Sequence, residues 1–281
     1  MKNNGKNTCN ELMTKITSHI EQLAIETDKA RMSEEMLRYL DAYSRFHQYS
    51  FNNVVLILMA KPDATRVAGF KAWQKMGRYV RKGEHGIPIL APIIVNKQED
   101  NSFITPRDIQ NTSNPEEFLI GFKIVYVFDI SQTDGDPLPE TPEWKSPEKK
   151  EILSQKLIQF AESRGIQVSE HELQGETQGV SKGGTILISP EAGTLTLIHE
   201  IAHEMMHRDK SRPISRSIVE LEAEAVSYVV GKYCGMDGLA CPNYIALHGN
   251  DSKEVLESLD RIRKVAAEII KTIFISMEEL D

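Results

Sequence analysis

LTLIHEIAHEMMHRD, residues 195–209, carries three histidines at four-residue intervals, with a glutamate directly after the first. His199, Glu200 and His203 spell H-E-x-x-H, a pattern tied to zinc sites. On a helix, side chains at i and i+4 lie one above the other. Two imidazoles so placed can converge on one ion at Zn–N distances of ~2.0–2.1 Å. Zinc acidifies the water it binds, and Glu200, next to that face, can take the proton. His207 is no third ligand, because eight residues of helix span ~12 Å. It is read as lying near the helix C-terminus, where a partly cationic side chain suits the dipole. A supporting role behind the ligands is the lesser alternative.

The missing ligand is sought in the next helical stretch, IVELEAEAVSYVV, residues 218–230. Glu220 and Glu224 are four apart and share a face, whereas Glu222 points elsewhere. Glu220 is assigned as the ligand and Glu224 as the carboxylate that orients a zinc-bound histidine. Glu222 is read as a solvated helix position. Tyr228 is weighed as an oxyanion donor against a packed aromatic, and the packed aromatic is preferred. The alternative for the whole segment is a core helix with chance histidines. It is disfavoured because Glu200 and the glutamate pair follow at workable spacing.

Working outward, residues 148–163 read as a helix ending at Gly165, IQVSE and TILIS (185–189) as strands, and 214–233 and 252–277 as helices. SQTDGDPLPETPEWKSPEKK carries four prolines and many acidic residues, and residues 136–147 are taken as a linker. Before it, 11–48 read as helical and Ser50-Phe51-Asn52-Asn53 starts a helix through VVLILMAK. IPILAPIIV reads as a strand, 97–118 as a polar loop, and FLIGFKIVYVFDI (118–130) as a strand. The expected fold is α+β in two domains, residues 1–135 and 148–281.

The chain of 281 residues has a formal charge of −8, which argues against general affinity for nucleic acid but leaves room for a local basic patch. Residues 66–97 are such a reversal, with seven Lys/Arg against the single acid Glu84. Phe70, Trp73 and Tyr79 are interleaved there. Basic groups neutralise phosphates and aromatic faces stack on unpaired bases, a combination suited to single-stranded nucleic acid. A solvated basic face over core aromatics fits the composition equally well. Gly77, Gly83 and Gly86 are read as turn residues, and Trp73 as a candidate for the core.

Two resemblances bear on these alternatives. TLIHEIAHEMMH followed by ELEAEA resembles the zincin peptidases of the ImmA/IrrE type over about residues 150–235, and more distantly the thermolysin-like gluzincins. That resemblance implies Zn²⁺ held by His199, His203 and Glu220, with Glu224 as helper and Glu200 as the catalytic base. It also implies that TILIS is an edge strand on which an extended peptide substrate pairs. YSFNNVVLILMAKPDATRVAGFKAWQKMGRYVRKGEHGIPILAPI resembles the N-terminal single-stranded-DNA-binding domain of ArdC-type antirestriction proteins over about residues 30–130. The ArdC type pairs that domain with a C-terminal zincin domain, in the order seen here. The DNA contacts expected are Lys71, Lys75, Arg78, Arg81 and Lys82, with Tyr49 and Phe51 as stacking candidates.

The resulting expectation is a zinc metallopeptidase with a single-stranded-DNA-binding domain. It would act on a protein substrate in an antirestriction or regulatory role for a mobile element or phage. The alternative is a non-proteolytic protein that shields single-stranded DNA, with structural zinc. Cys9, Cys234 and Cys241 form no disulfide framework and no C-x-x-C pair. The N-terminus lacks the apolar run of a signal peptide. VVLILMA, the longest apolar run, is far short of the ~20 residues of a membrane span. A cytoplasmic protein is therefore expected.

Overall fold

The computed structural model describes residues 8–25, 29–96, 117–138, 147–208, 215–236, 238–239, 242 and 252–278. Most of the polar loop expected at 97–118, most of the linker and Cys241 lie outside them. Helices and strands are mixed throughout, and the chain divides into two compact units. The first comprises Met1–Ser18 and Asn52–Leu138, the second His19–Phe51 and Pro139–Asp281. Among the described residues no helix is long and apolar enough to cross a membrane. Cys9 and Cys234 are free thiols.

In the first unit, β1 (Val67–Gly69), β3 (Ile87–Asn96) and β4 (Glu117–Asp129) form an antiparallel sheet in the order β1-β4-β3. The β-branched and aromatic alternation of β4 suits a pleated surface. Asn53, near the start of α3 (Phe51–Ala60), joins helix to sheet: its amide donates to the Leu90 carbonyl and accepts from the Leu90 N–H, each at 2.8 Å. Helix α4 (Phe70–Lys75) buries Trp73, whose Nε1 donates to the Phe128 carbonyl at 2.9 Å. Strands β2 (Arg78–Val80) and β5 (Thr133–Gly135) pair as a separate ribbon. Asp129 is buried and accepts from the backbone amides of Thr65, Arg66 and Ser131 at 2.8–3.1 Å. Gly77 and Gly83 have φ of +72° and +93°, as turns require. Gly86 does not. A Cβ there would meet Tyr126 Cβ at 2.8 Å, so close approach rather than turning demands its glycine.

The second unit holds a three-stranded sheet in the order β6-β8-β7, with β6 (Gln167–Glu170) parallel and β7 (Gly179–Ser181) antiparallel to β8 (Thr185–Ile188). TILIS is therefore the central strand, not the edge strand expected. The three-residue β7 takes an outer position and packs on α6 (Thr194–His207). Around the sheet stand α5 (Pro147–Ser163), α6, α7 (Arg216–Tyr233) and α8 (Ser252–Glu278). Leu153, Leu157, Leu197, Ile198, Ile201, Val226 and Ile262 are among their buried residues. The stretch 11–48 contains α1 (Cys9–Ile25) and α2 (Lys29–Phe46), and residues 26–28 between them lie outside the described residues. Helix α2 packs on α7, and Asp41 accepts from Tyr228 Oη at 2.8 Å and Lys232 Nζ at 2.7 Å. By contacts, residues 19–51 thus go with the histidine helix rather than with 52–138.

Candidate metal centre

Helix α6 buries Leu197, Ile198, Ile201 and Ala202 against its neighbours, which turns His199 and His203 to the other side. Their Nε2 atoms lie 2.9 Å apart. On α7 the Ser215 hydroxyl caps the helix by accepting from the Ile218 N–H, and Glu220 follows in the next turn. Glu220 Oε2 lies 3.6 Å from His199 Nε2 and 3.5 Å from His203 Nε2. Two ligand atoms each ~2.05 Å from a tetrahedral ion are separated by ~3.3 Å, so this N, N, O triangle fits such an ion. It is the one cluster among the described residues that gathers three potential ligands so closely. Both imidazoles have lowered pKa values: His199 through burial, His203 to about 4 through burial and then the neighbouring His199. Neutral imidazole is the form that ligates metal.

Glu200 is buried, and its carboxyl is raised to about 7 by burial first and by the Glu220 carboxylate second, against a lowering hydrogen bond from the Ser181 backbone. Gly179 on β7 faces it. A Cβ there would stand 2.7 Å from Glu200 Cγ and 2.9 Å from Oε1. A cavity of about 330 Å³ opens beside His199, lined by Leu195, Thr196, Glu224, Tyr228 and Leu239 among others.

Three readings of individual residues change, and that of Tyr228 stands. Glu222 is not solvated; it is fully buried, accepting from His207 Nε2 at 2.9 Å and from Arg261 Nη2 at 2.5 Å. Burial alone raises its pKa, but the His207 and Arg261 hydrogen bonds outweigh that and hold it at about 2. His207 does end α6, yet its side chain is buried between Glu222 and His203, with Nδ1 3.4 Å from His203 Nδ1. Glu224 lines the cavity with His199 but makes no hydrogen bond to a histidine among the described residues. Tyr228 gives its hydroxyl hydrogen to Asp41, which favours the packed reading.

Glu204, on the same helix, carried no sequence signal. Buried, it accepts from Ser181 Oγ at 2.6 Å and from the amides of Gly183 and Gly184 at 2.7 and 2.5 Å, tying the β7–β8 turn to α6. Glu204→Ala strands those donors, each worth ~1–3 kcal/mol when left unsatisfied. Gly183 is an exposed residue, so the expected destabilisation is about 2–4 kcal/mol. A shift of the urea midpoint checks it, and an unchanged midpoint contradicts it.

In the first unit the basic stretch divides. Lys71, Lys75 and Lys82 are exposed, and so are Phe70 at 48% and Tyr79 at 58%. Arg78 is a clamp on β5 and the residue after it: Nε donates to Thr133 Oγ1 at 2.9 Å, Nη2 to the Thr133 carbonyl at 3.1 Å, and Nη1 to the Gly135 and Asp136 carbonyls. Arg81 is tied to Glu84 at 2.8 Å, to the Ser131 carbonyl at 2.5 Å and to Asp134 at 3.4 Å. Arg78 is thus committed to these protein acceptors, while Arg81 shares its guanidinium with protein acceptors and remains 42% exposed. Phe51 is buried in the second unit with its ring 6.2 Å from Tyr39 and 6.4 Å from Tyr43, which removes it as a stacking residue. Tyr49 is half-buried, its ring edge-on to Phe46.

The chain is similar to several known proteins. An uncharacterized protein of Bacillus anthracis is 28% identical over 316 residues, covering 98% of this chain. The chain spans about half the length of that curated relative, 53%. Two crystal structures of the antirestriction ArdC protein from R388 plasmid, one metal-free and one Mn(II)-bound, are each 17% identical. Their TM-scores are 0.46 and 0.42, and they cover 90% and 84% of this chain and 97% of their own. Residues 6–128 match the family described as the N-terminal domain of anti-restriction factor ArdC.

Proposed function

We propose that the protein is an antirestriction or regulatory factor of a mobile element or phage, in which a zinc peptidase site is joined to a single-stranded-DNA-binding region. The observation that supports the peptidase reading best is the convergence of His199, His203 and Glu220 next to a buried carboxyl. These three residues would hold the ion, which would supply Lewis acidity toward water and the peptide carbonyl. Glu200 takes the proton of the attacking water. It then delivers that proton to the amine released as the C–N bond breaks. Gly179 leaves the room this carboxyl needs. An extended substrate that adds to the sheet by main-chain pairing does so beside β7, the strand packed on α6, since β8 is paired on both sides.

For DNA, support comes from the family match over 6–128 together with Lys71, Lys75 and Lys82 exposed in the same stretch as Phe70 and Tyr79. Exposed rings stack on bases while the lysines meet phosphates. The test of the peptidase reading compares cells expressing wild type and Glu200→Gln for newly formed protein N-termini. New termini present only with wild type support it; identical profiles overturn it.

A further inference from the structure

We propose that His207, Glu222 and Arg261 form a positioning relay that holds His203 in its metal-binding tautomer. The inference rests on the reading of His199, His203 and Glu220 as a metal site. It assigns a role to three residues outside that triad.

The hydrogens can be followed one by one. Glu222 Oε1 accepts from Arg261 Nε at 3.1 Å and Nη2 at 2.5 Å, which fixes the carboxylate in place. Its other oxygen, Oε2, lies 2.9 Å from His207 Nε2. An ionised carboxylate only accepts, so His207 carries a hydrogen on Nε2. In the neutral ring the other nitrogen, Nδ1, is then an acceptor. That Nδ1 faces His203 Nδ1 at 3.4 Å, a long contact that one hydrogen bond can span only if His203 donates. With its hydrogen on Nδ1, His203 has a bare Nε2. Nε2 is the atom that lies 2.9 Å from His199 Nε2 and 3.5 Å from Glu220 Oε2.

A metal-ligating histidine ordinarily gives its second N–H to a carboxylate or carbonyl, and losing that partner weakens metal binding by ~10–100-fold. Here the carboxylate acts through an intervening imidazole. The helical spacing explains why. His203 and His207 are four apart on α6 and stack along one face, while Glu222 and Arg261 come from α7 and α8. Burial supports the assignment: Glu222 is fully buried, and the His207 side chain is only 8% exposed. These groups sit where water cannot substitute for a missing partner.

The test uses the full chain with two readouts. The first is the tautomer of His203 in metal-free protein, from long-range ¹H–¹⁵N correlation spectra of histidine-labelled samples. The second is zinc affinity by competition with a chromophoric chelator. The variants are His207→Phe and the double variant Glu222→Leu/Arg261→Met, which removes both charges together and leaves no buried ion unpaired. Wild-type His203 is expected to carry its hydrogen on Nδ1. Both variants are expected to lose that preference and to bind zinc ~10–100-fold more weakly. A wild-type His203 protonated on Nε2 overturns the relay, even if neither variant folds. So does unchanged zinc affinity in folded variants with the tautomer intact. Wild type that binds no zinc but shows the Nδ1–H tautomer refutes the metal site itself and leaves the hydrogen-bond relay standing.

Discussion

Glu200→Gln is expected to cut any peptide hydrolysis by ~10²–10⁴-fold, the range for loss of a positioned general acid–base group, while the zinc content stays at the wild-type level. The amide has nearly the shape of the carboxyl, so it fits the space opposite Gly179 and can still accept from Ser181. It cannot take up a proton from water at neutral pH. His199, His203 and Glu220 are untouched. Cleavage rate and metal content should therefore separate, and a variant that retains its rate removes Glu200 from the chemistry. If Glu200→Gln abolishes cleavage yet keeps full antirestriction activity, the DNA-shield alternative gains and proteolysis is not the function.

Lys71→Ala/Lys75→Ala/Lys82→Ala is expected to weaken binding to an oligothymidylate and to reduce the slope of log K against log salt by about 2, at ~0.7 per phosphate contact on a single strand. Tyr79→Ala should cost ~1–3 kcal/mol of affinity with the slope unchanged, because stacking releases no counterion. Arg78→Ala should act differently. It removes donors that hold Thr133, Gly135 and Asp136, so it should lower the urea midpoint. Fluorescence anisotropy over a salt series reads the two binding effects, and urea unfolding reads the third. An unchanged affinity and slope in the triple-lysine variant would remove this stretch as the DNA contact.

How much of this was legible in the sequence depended on range. H-E-x-x-H could be placed because both its histidines and its glutamate lie within one turn of one helix. Glu220 followed from spacing on a second helix. The long strand β4 was read from its alternation. What failed needed a partner from far along the chain. Periodicity shows which face of α7 Glu222 occupies, but not that Arg261 of α8 and His207 of α6 stand opposite, so a buried carboxylate was taken for a solvated one. Charge counting registers Arg78 and Arg81 as basic, but not that acceptors on and beside β5 engage both side chains. Strand β7 has three residues, Gly179-Val180-Ser181, too few to show a period. Nothing local therefore opposed the edge position that the zincin resemblance implied for β8. Phe51 stands between Ser50 and Asn52, and its packing partners Tyr39 and Tyr43 come from α2, so no local signal told a stacking ring from a core ring.

The central claim is that α6 and α7 build a metal site. The measurement that tests it most directly is zinc stoichiometry, by elemental analysis of reconstituted and desalted protein, on wild type and on Glu220→Ala. The account predicts one zinc per chain in wild type and its loss in the variant. No zinc in wild type, or full retention without the Glu220 carboxylate, would contradict it.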